Sequence, residues 1–363
     1  MTGTIARDDG AVRELWYTRC GVPTASGIAL HQGWLHAEFA RTGIRLNSVR
    51  ASEDGETRDS HYDHSLPRMF REGGNIPPIW ARSLGRNTVV VGITWVDELQ
   101  AIVTRSDSGV KDIGDLRGRR FGLPLHPGRL ADHSRASSLH GLVTTLQLAG
   151  LRANDVEQVD IAAPRFDIRE NPETGVLSQG DSQEREGSTL GALRQGQVDA
   201  IYIKGPQAAG ILRDPAFRVV IDLNAHPDPA VHINNAVPRP VTTDRELLEQ
   251  HPDLVVRYLT VLLRTGHWAK TAPDEVRRLI ALETRGTEDQ IRVAYGPNLH
   301  NSFVPALSDA YVRGLEQQKN FLRDWGFLHQ DFDFASWIDA RPLAEAERIV
   351  GADAWHGLEA RVA

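Results

Sequence analysis

The sequence predicts an α/β protein of two lobes, and three observations carry that prediction. Strand-like and helix-like segments alternate over most of the chain, as they do where mainly parallel sheets are covered by helices. The 363 residues exceed the size at which a single hydrophobic core stops growing. Hydrophobic residues at 40% and charged residues at 25% are ordinary globular proportions, with no internal repeat or low-complexity tract.

Taken in order, Gly27 to Thr42 reads as a helix, because Ile28, Leu30, Trp34, Leu35 and Phe39 recur mostly at helical intervals. A short strand, Ile44–Val49, follows. Ser60 to Pro78 holds three prolines and a Gly-Gly pair among charged and aromatic residues, which predicts a long irregular loop of the kind that is usually functional. Next come a helix near Ile79–Leu84 and the β-branched strand Thr88–Thr94. A further strand, Gln100–Arg105, is expected to carry the chain across to the other lobe near residue 107.

The second lobe is expected to contain a helix Arg135–Ala149, a strand Val156–Ala162, a helix Gly187–Gln195 and a strand ending at Ile203. Arg169 to Glu186 has no periodicity and predicts a mobile surface segment, a candidate lid. Arg218–Leu223 reads as the strand that returns the chain, and from Asp244 onward the pattern is helical. The expected division is 1–107 in the first lobe, 108–223 in the second, and 224–363 back in the first with a C-terminal helical region.

Composition also excludes functions. A net charge of −7 with dispersed Lys and Arg offers no stripe to neutralise a phosphate backbone, so nucleic acid is not an expected partner. No apolar run approaches the ~18–20 residues of a membrane span. The first ten residues place an acidic pair where a secretory signal has an apolar core, which predicts a cytoplasmic protein, expected as a monomer. Gly114 to Gly118 fits neither a dinucleotide-binding nor a P-loop pattern, so no nucleotide cofactor is expected.

One cysteine, Cys20, cannot close an internal disulfide and stays a thiol in a reducing compartment. A lone cysteine is more often a small buried hydrophobe than a catalyst, and one histidine among 14 carries little weight. His61 and His64 share a segment with Asp63 but lack third and fourth ligands, so no metal is expected. Most arginines in loops pair with a carboxylate, and Glu72 and Asp63 stand near Arg71. Of the eight tryptophans, Trp95 is the one expected to face a cleft near the crossover.

Larger patterns change those odds. Ser106 to Pro124 and Leu190 to Gly210 resemble segments of sulfonate- and nitrate-type substrate-binding proteins. Tyr17-Thr18-Arg19-Cys20-Gly21-Val22-Pro23, the run from His61 through Pro67 to Arg71, and Gly73-Gly74-Asn75-Ile76-Pro77-Pro78 resemble the 2-(2'-hydroxyphenyl)benzenesulfinate desulfinases. Arg218–Leu223 and Gly266-His267-Trp268-Ala269 extend the likeness over nearly the whole chain. The resemblance implies a periplasmic-binding-protein-like fold of type II, in which two α/β lobes close on an anion. It also implies hydrolytic C–S cleavage of an aromatic sulfinate with release of sulfite and without a cofactor.

Carried over residue by residue, the resemblance makes Cys20 the acid or nucleophile, His61 its assistant and Arg71 the clamp for the sulfinate. Gly73 and Gly74 bring backbone close, and the Gly74 N–H is the candidate oxyanion donor. The chemistry is consistent with this, since Arg offers a planar fork to two oxygens and imidazole exchanges protons near neutral pH. The segment between Pro127 and Ser137 is shorter than in the family, and Ser137, Lys204 and Gln207 replace aromatic residues of its aryl pocket. A small anionic organosulfur substrate with a polar substituent is therefore expected. The competing expectation is a non-catalytic, transporter-type binding protein for an organosulfonate.

Overall fold

The computed structural model describes residues 12–128, 130–163, 168–179 and 189–352. Strands β1 (Glu14–Thr18), β2 (Arg45–Ser48), β3 (Met69–Glu72) and β4 (Thr88–Thr94) build a first sheet. The chain then lays down β5 (Gln100–Arg105), β6 (Arg120–Leu125), β7 (Glu157–Ala162), the hairpin strands β8 (Ile168–Glu170) and β9 (Leu177–Gln179), β10 (Ala200–Lys204) and β11 (Phe217–Asp222). Strand β12 (Arg239–Asp244) returns to the first sheet. The sheet orders are β2-β1-β3-β12-β4 and β11-β5-β10-β6-β7.

Strand β5 pairs with β10 and β11 in the second sheet, so the crossover runs between Thr94 and Gln100, ahead of residue 107. Its residues Gln100 to Thr104 are all buried, which suits an interior strand flanked on both edges.

Helix α1 (Ala25–His31) is capped by Thr24, whose side chain accepts from the Gly27 amide at 3.0 Å. It is separated from α2 (Trp34–Ala40) by Gly33 at φ 72°, a conformation that favours glycine and breaks the single helix expected over 27–42. The loop expected over Ser60–Pro78 is instead mostly regular. Helix α3 (Gly55–Asp63) starts at Asp54, which accepts from the Thr57 amide at 2.7 Å, and ends at His64 in the left-handed region. After β3, helix α4 (Ile76–Ser83) opens with Pro77 and Pro78, the positions where a missing N–H costs nothing.

The first sheet packs on the C-terminal helices. Leu15 and Tyr17 of β1, Val89 and Val91 of β4, and Tyr258, Leu259 and Leu262 of the helix Pro252–Ala269 belong to one apolar cluster. A second cluster joins Phe121 and Leu123 of β6 to Leu139, Leu142 and Leu146 of helix α5 (His133–Leu148). No helix among the described residues is long and apolar enough to cross a membrane.

The segment expected to be a mobile lid is tied down over 168–179, while 180–186 lie outside the described residues. Glu170 is buried, accepting from the Tyr17 hydroxyl and the Ser48 hydroxyl at 2.7 Å each and lying 3.2 Å from Arg19. The Gly175 carbonyl accepts from Arg19 at 2.7 Å. An excursion from the second sheet is thus anchored on the first.

Candidate active site

The register of the first sheet assembles the site. In the parallel pair β1 and β3, Thr18 lies opposite Arg71, so two residues further along both strands Cys20 meets Gly73. Gly73 has φ 153°, and a Cβ there would collide with the Cys20 sulfur and come within 3.0 Å of its Cβ. The thiol therefore rests against bare backbone, which only glycine provides. The next residues, Gly21 at φ 66° and the Val22-Pro23 pair, turn the chain into α1.

Helix α3 delivers the third group. His61, in its last turn, has Nδ1 2.8 Å from the Thr18 hydroxyl and Nε2 3.7 Å from Cys20 Sγ. Arg71 donates from Nη2 to the same sulfur at 3.3 Å, from Nη1 to the Gly74 carbonyl at 2.8 Å and from Nε to the His61 carbonyl at 3.3 Å. Cys20, His61 and Arg71, far apart in sequence, converge on one sulfur atom, and Thr18 orients the imidazole.

Arg71 is almost fully buried, yet its partners are two carbonyls and a sulfur, with no carboxylate among the described residues. The two acidic residues nearest in sequence are used elsewhere. Asp63 pairs with Arg86 at 3.3 Å, and Glu72 accepts from the Ser26 amide at 2.7 Å and the Thr94 hydroxyl at 3.1 Å. Burial lowers the pKa of Arg71, and neighbouring Arg50 lowers it further while Cys20 opposes. Burial, followed by the charges of Arg50 and Arg71, holds His61 well below the ordinary histidine range, so the imidazole is neutral at working pH. A neutral imidazole can take a proton from sulfur or give one back.

These groups open onto a cavity of about 300 Å³ between the sheets. Cys20, His61, Arg71 and Gly74 line it from the first sheet, and Ser137, Lys204 and Gln207 line it from the second. Gly73 sits behind Cys20 rather than in the wall. Trp95 does not line the cavity among the described residues: its indole N–H donates to Asp97 at 3.0 Å and its ring stacks on Tyr311 at 5.3 Å. That packing on the C-terminal helices satisfies both the apolar ring and its donor, which is why it turns from the cleft.

Several lining residues escaped the sequence. Arg50 follows β2 in a short turn, donates to the Arg19 carbonyl at 3.4 Å and lies 5.4 Å from the Tyr62 ring centre. Glu98 stands in the crossover and Arg285 ends the helix Pro273–Thr284. None of the three stands in a motif that marks it. Among the described residues no group of three or more His, Cys, Asp or Glu could hold a metal ion.

The fold and site can now be set beside known proteins. No family model matches the chain. It is 28% identical over 353 residues to 2'-hydroxybiphenyl-2-sulfinate desulfinase of Rhodococcus erythropolis, covering 91% of this chain and 92% of that protein. It superposes with a TM-score of 0.69 at 27% identity on a cysteine-to-serine variant of DszB crystallised with biphenyl-2-sulfinic acid, covering 93% of this chain and all of that one. The sulfonate-binding protein SsuA of Methylobacillus flagellatus KT matches in fold alone, at a TM-score of 0.70 and 16% identity over 94% and 96% of the two chains. The fold is therefore that of the periplasmic binding proteins, and the resemblance read from the motifs runs along nine-tenths of the chain.

Proposed function

We propose that this relative of the aromatic sulfinate desulfinases cleaves the C–S bond of an aryl sulfinate by hydrolysis, releasing sulfite. The observation that carries the reading is the buried Arg71, a cation without a carboxylate that faces the same sulfur as a neutral imidazole. A buried unneutralised charge is costly, and an anionic ligand offsets that cost. A sulfinate at this position is held by the guanidinium fork, with the Gly74 N–H as a further donor.

Two atom-balanced routes use these groups. In one, the Cys20 thiol protonates the carbon bearing sulfur, sulfur dioxide departs, and water adds to it to form bisulfite. The proton released by that water returns to Cys20 through His61. In the other, Cys20 gives its proton to His61 and the thiolate attacks sulfur, the arene leaves with that proton, and water hydrolyses the resulting S–SO2 adduct to thiol and bisulfite. Neither route calls for a cofactor, because side chains supply the proton donor, the acceptor and the clamp. One chain supplies the whole site, consistent with a monomer, and a working thiol suits the reducing cytoplasm.

The test is sulfite release from a panel of aryl sulfinates. Cys20→Ser should abolish release while leaving substrate affinity within a few fold; folded wild-type protein that releases no sulfite from any member removes the reading. Mass spectrometry of the quenched reaction separates the routes, since only the second leaves an SO2 adduct on Cys20. A transporter-type receptor fits the same cavity but leaves the His61 and Cys20 contact without a use, and it predicts binding that Cys20→Ser does not change and no turnover.

A further inference from the structure

Among the described residues the charges around the cavity do not balance. Arg71, Lys204 and Arg285 face it against one carboxylate, Glu98, while Arg50 in the same wall has partners of its own. Glu98 is already engaged: Oε2 lies 3.5 Å from Lys204 Nζ and Oε1 accepts from the Tyr295 hydroxyl at 3.1 Å. Arg285 is exposed, and among the described residues no acidic side chain pairs with it. A single sulfinate beside Arg71 leaves this surplus of positive charge standing.

The surplus has a place. Arg71 belongs to the Cys20 end, whereas Lys204 and Gln207 come from the end of β10 and the helix that follows it. Thr284 and Arg285 reach the cavity from the helix region packed on the first sheet. The walls between mix apolar side chains such as Val22, Ile168 and Tyr62 with Ser134, Ser137, Ser138 and Asn235. A second hydrocarbon ring pressed against Lys204 and Arg285 would strip water from those charges without returning a hydrogen bond.

We infer that the substrate is a dianion, an aryl sulfinate whose skeleton carries a second anionic group the size of a carboxylate, held between Lys204, Gln207 and Arg285. This rests on the desulfinase reading for the sulfinate end and specifies the chemistry of the other end. A second anion would neutralise the wall cations on both lobes at once, and the exposed guanidinium at the mouth would draw it in.

The experiment compares kcat/KM for sulfite release from benzenesulfinate, biphenyl-2-sulfinate and 2-, 3- and 4-sulfinobenzoate. The best sulfinobenzoate should exceed both uncharged-ring substrates by about tenfold or more, the scale of one charged hydrogen bond. In Lys204→Met and in Arg285→Met the ratio of sulfinobenzoate to benzenesulfinate should fall by a similar factor. Preference for biphenyl-2-sulfinate, or a ratio that neither variant moves, overturns the inference. Arg285 is exposed, so its variant reports even if Lys204→Met, which strands Glu98, does not fold. If no substrate yields sulfite, the desulfinase reading fails by itself, and calorimetry with sulfobenzoates against biphenyl-2-sulfonate decides the inference, tighter binding of the biphenyl overturning it.

Discussion

Arg19 precedes Cys20 in the chain and Arg71 touches its sulfur, and the two are equally hidden, 3% and 1% exposed, yet their surroundings differ completely. Arg19 ion-pairs with Glu283, which also accepts from His31, and lies 3.2 Å from Glu170. Burial alone would raise the Glu283 carboxyl, but Arg19 and His31 outweigh it and bring the pKa down to about 2. Arg71 has two carbonyls and a sulfur. The first arginine is neutralised by the protein and holds structure; the second has no carboxylate partner, as the anion clamp proposed above requires. The difference teaches that burial of a charge does not by itself mark a functional site; what singles out Arg71 is that its counter-charge is missing where the guanidinium also meets the cavity and the Cys20 sulfur.

The comparison can be broken most forcefully at Arg19. Arg19→Met strands Glu283 and Glu170 in the interior and should cost about 3–5 kcal/mol in urea unfolding. The next largest effect is its pH counterpart. The Glu283 pKa is depressed on folding, so its contribution is full above the ordinary carboxyl value of 4.5 and is lost as pH falls toward 2, about 3 kcal/mol over that window. In Arg19→Met this acid-side dependence should reverse, because burial then dominates and raises the carboxyl; wild-type-like acid sensitivity in the variant would contradict the assigned pair.

Arg71→Ala should behave oppositely. Substrate binding weakens by about 1.5–3 kcal/mol while unfolding stability changes little, since no carboxylate is stranded. Affinity and rate both intact would remove the clamp. A smaller effect is expected at Arg50, whose charge helps hold His61 neutral. Arg50→Met should raise the His61 pKa, so a pH-rate profile from 5 to 9 should gain or shift upward an acid limb. The smallest is Thr18→Val, which frees the imidazole and should cost about 1 kcal/mol in kcat, with KM nearly unchanged.

Much of the fold was legible because some strands carry their burial in their composition. Thr88–Thr94 and Gln100–Arg105 were read with the boundaries they have, since nearly unbroken runs of apolar and β-branched residues mark strands buried on both faces. β3 was not read, because four residues with two charges look like a loop until Arg71 and Glu72 are seen to be buried and hydrogen-bonded. β12 hid behind Pro240, a residue that argues against a central strand, and the ladder there accommodates it with an irregularity between Val241 and Thr242. Helix α3 is polar throughout, so no apolar stripe announced it.

At the site, motif resemblance named Cys20, His61, Arg71 and Gly74, all four of which line the cavity. It could not supply Thr18, Arg50, Glu98 or Arg285, because what gathers them is strand register and lobe packing. Trp95 shows the same limit from the other side, since an aromatic near a crossover has two lobes to choose from and only packing decides.

The hairpin of β8 and β9 has one more consequence. It leaves one half of the molecule and plants a carboxylate among Tyr17, Arg19 and Ser48 of the other, so the halves are stitched together beside the reaction chamber. A receptor that ferries cargo depends on swinging wide to hand it over, and a buried charged stitch resists that motion. A catalyst whose products are smaller than its reactant needs only a narrow exit, and it can trade the freedom to gape for a rigidly seated sulfur.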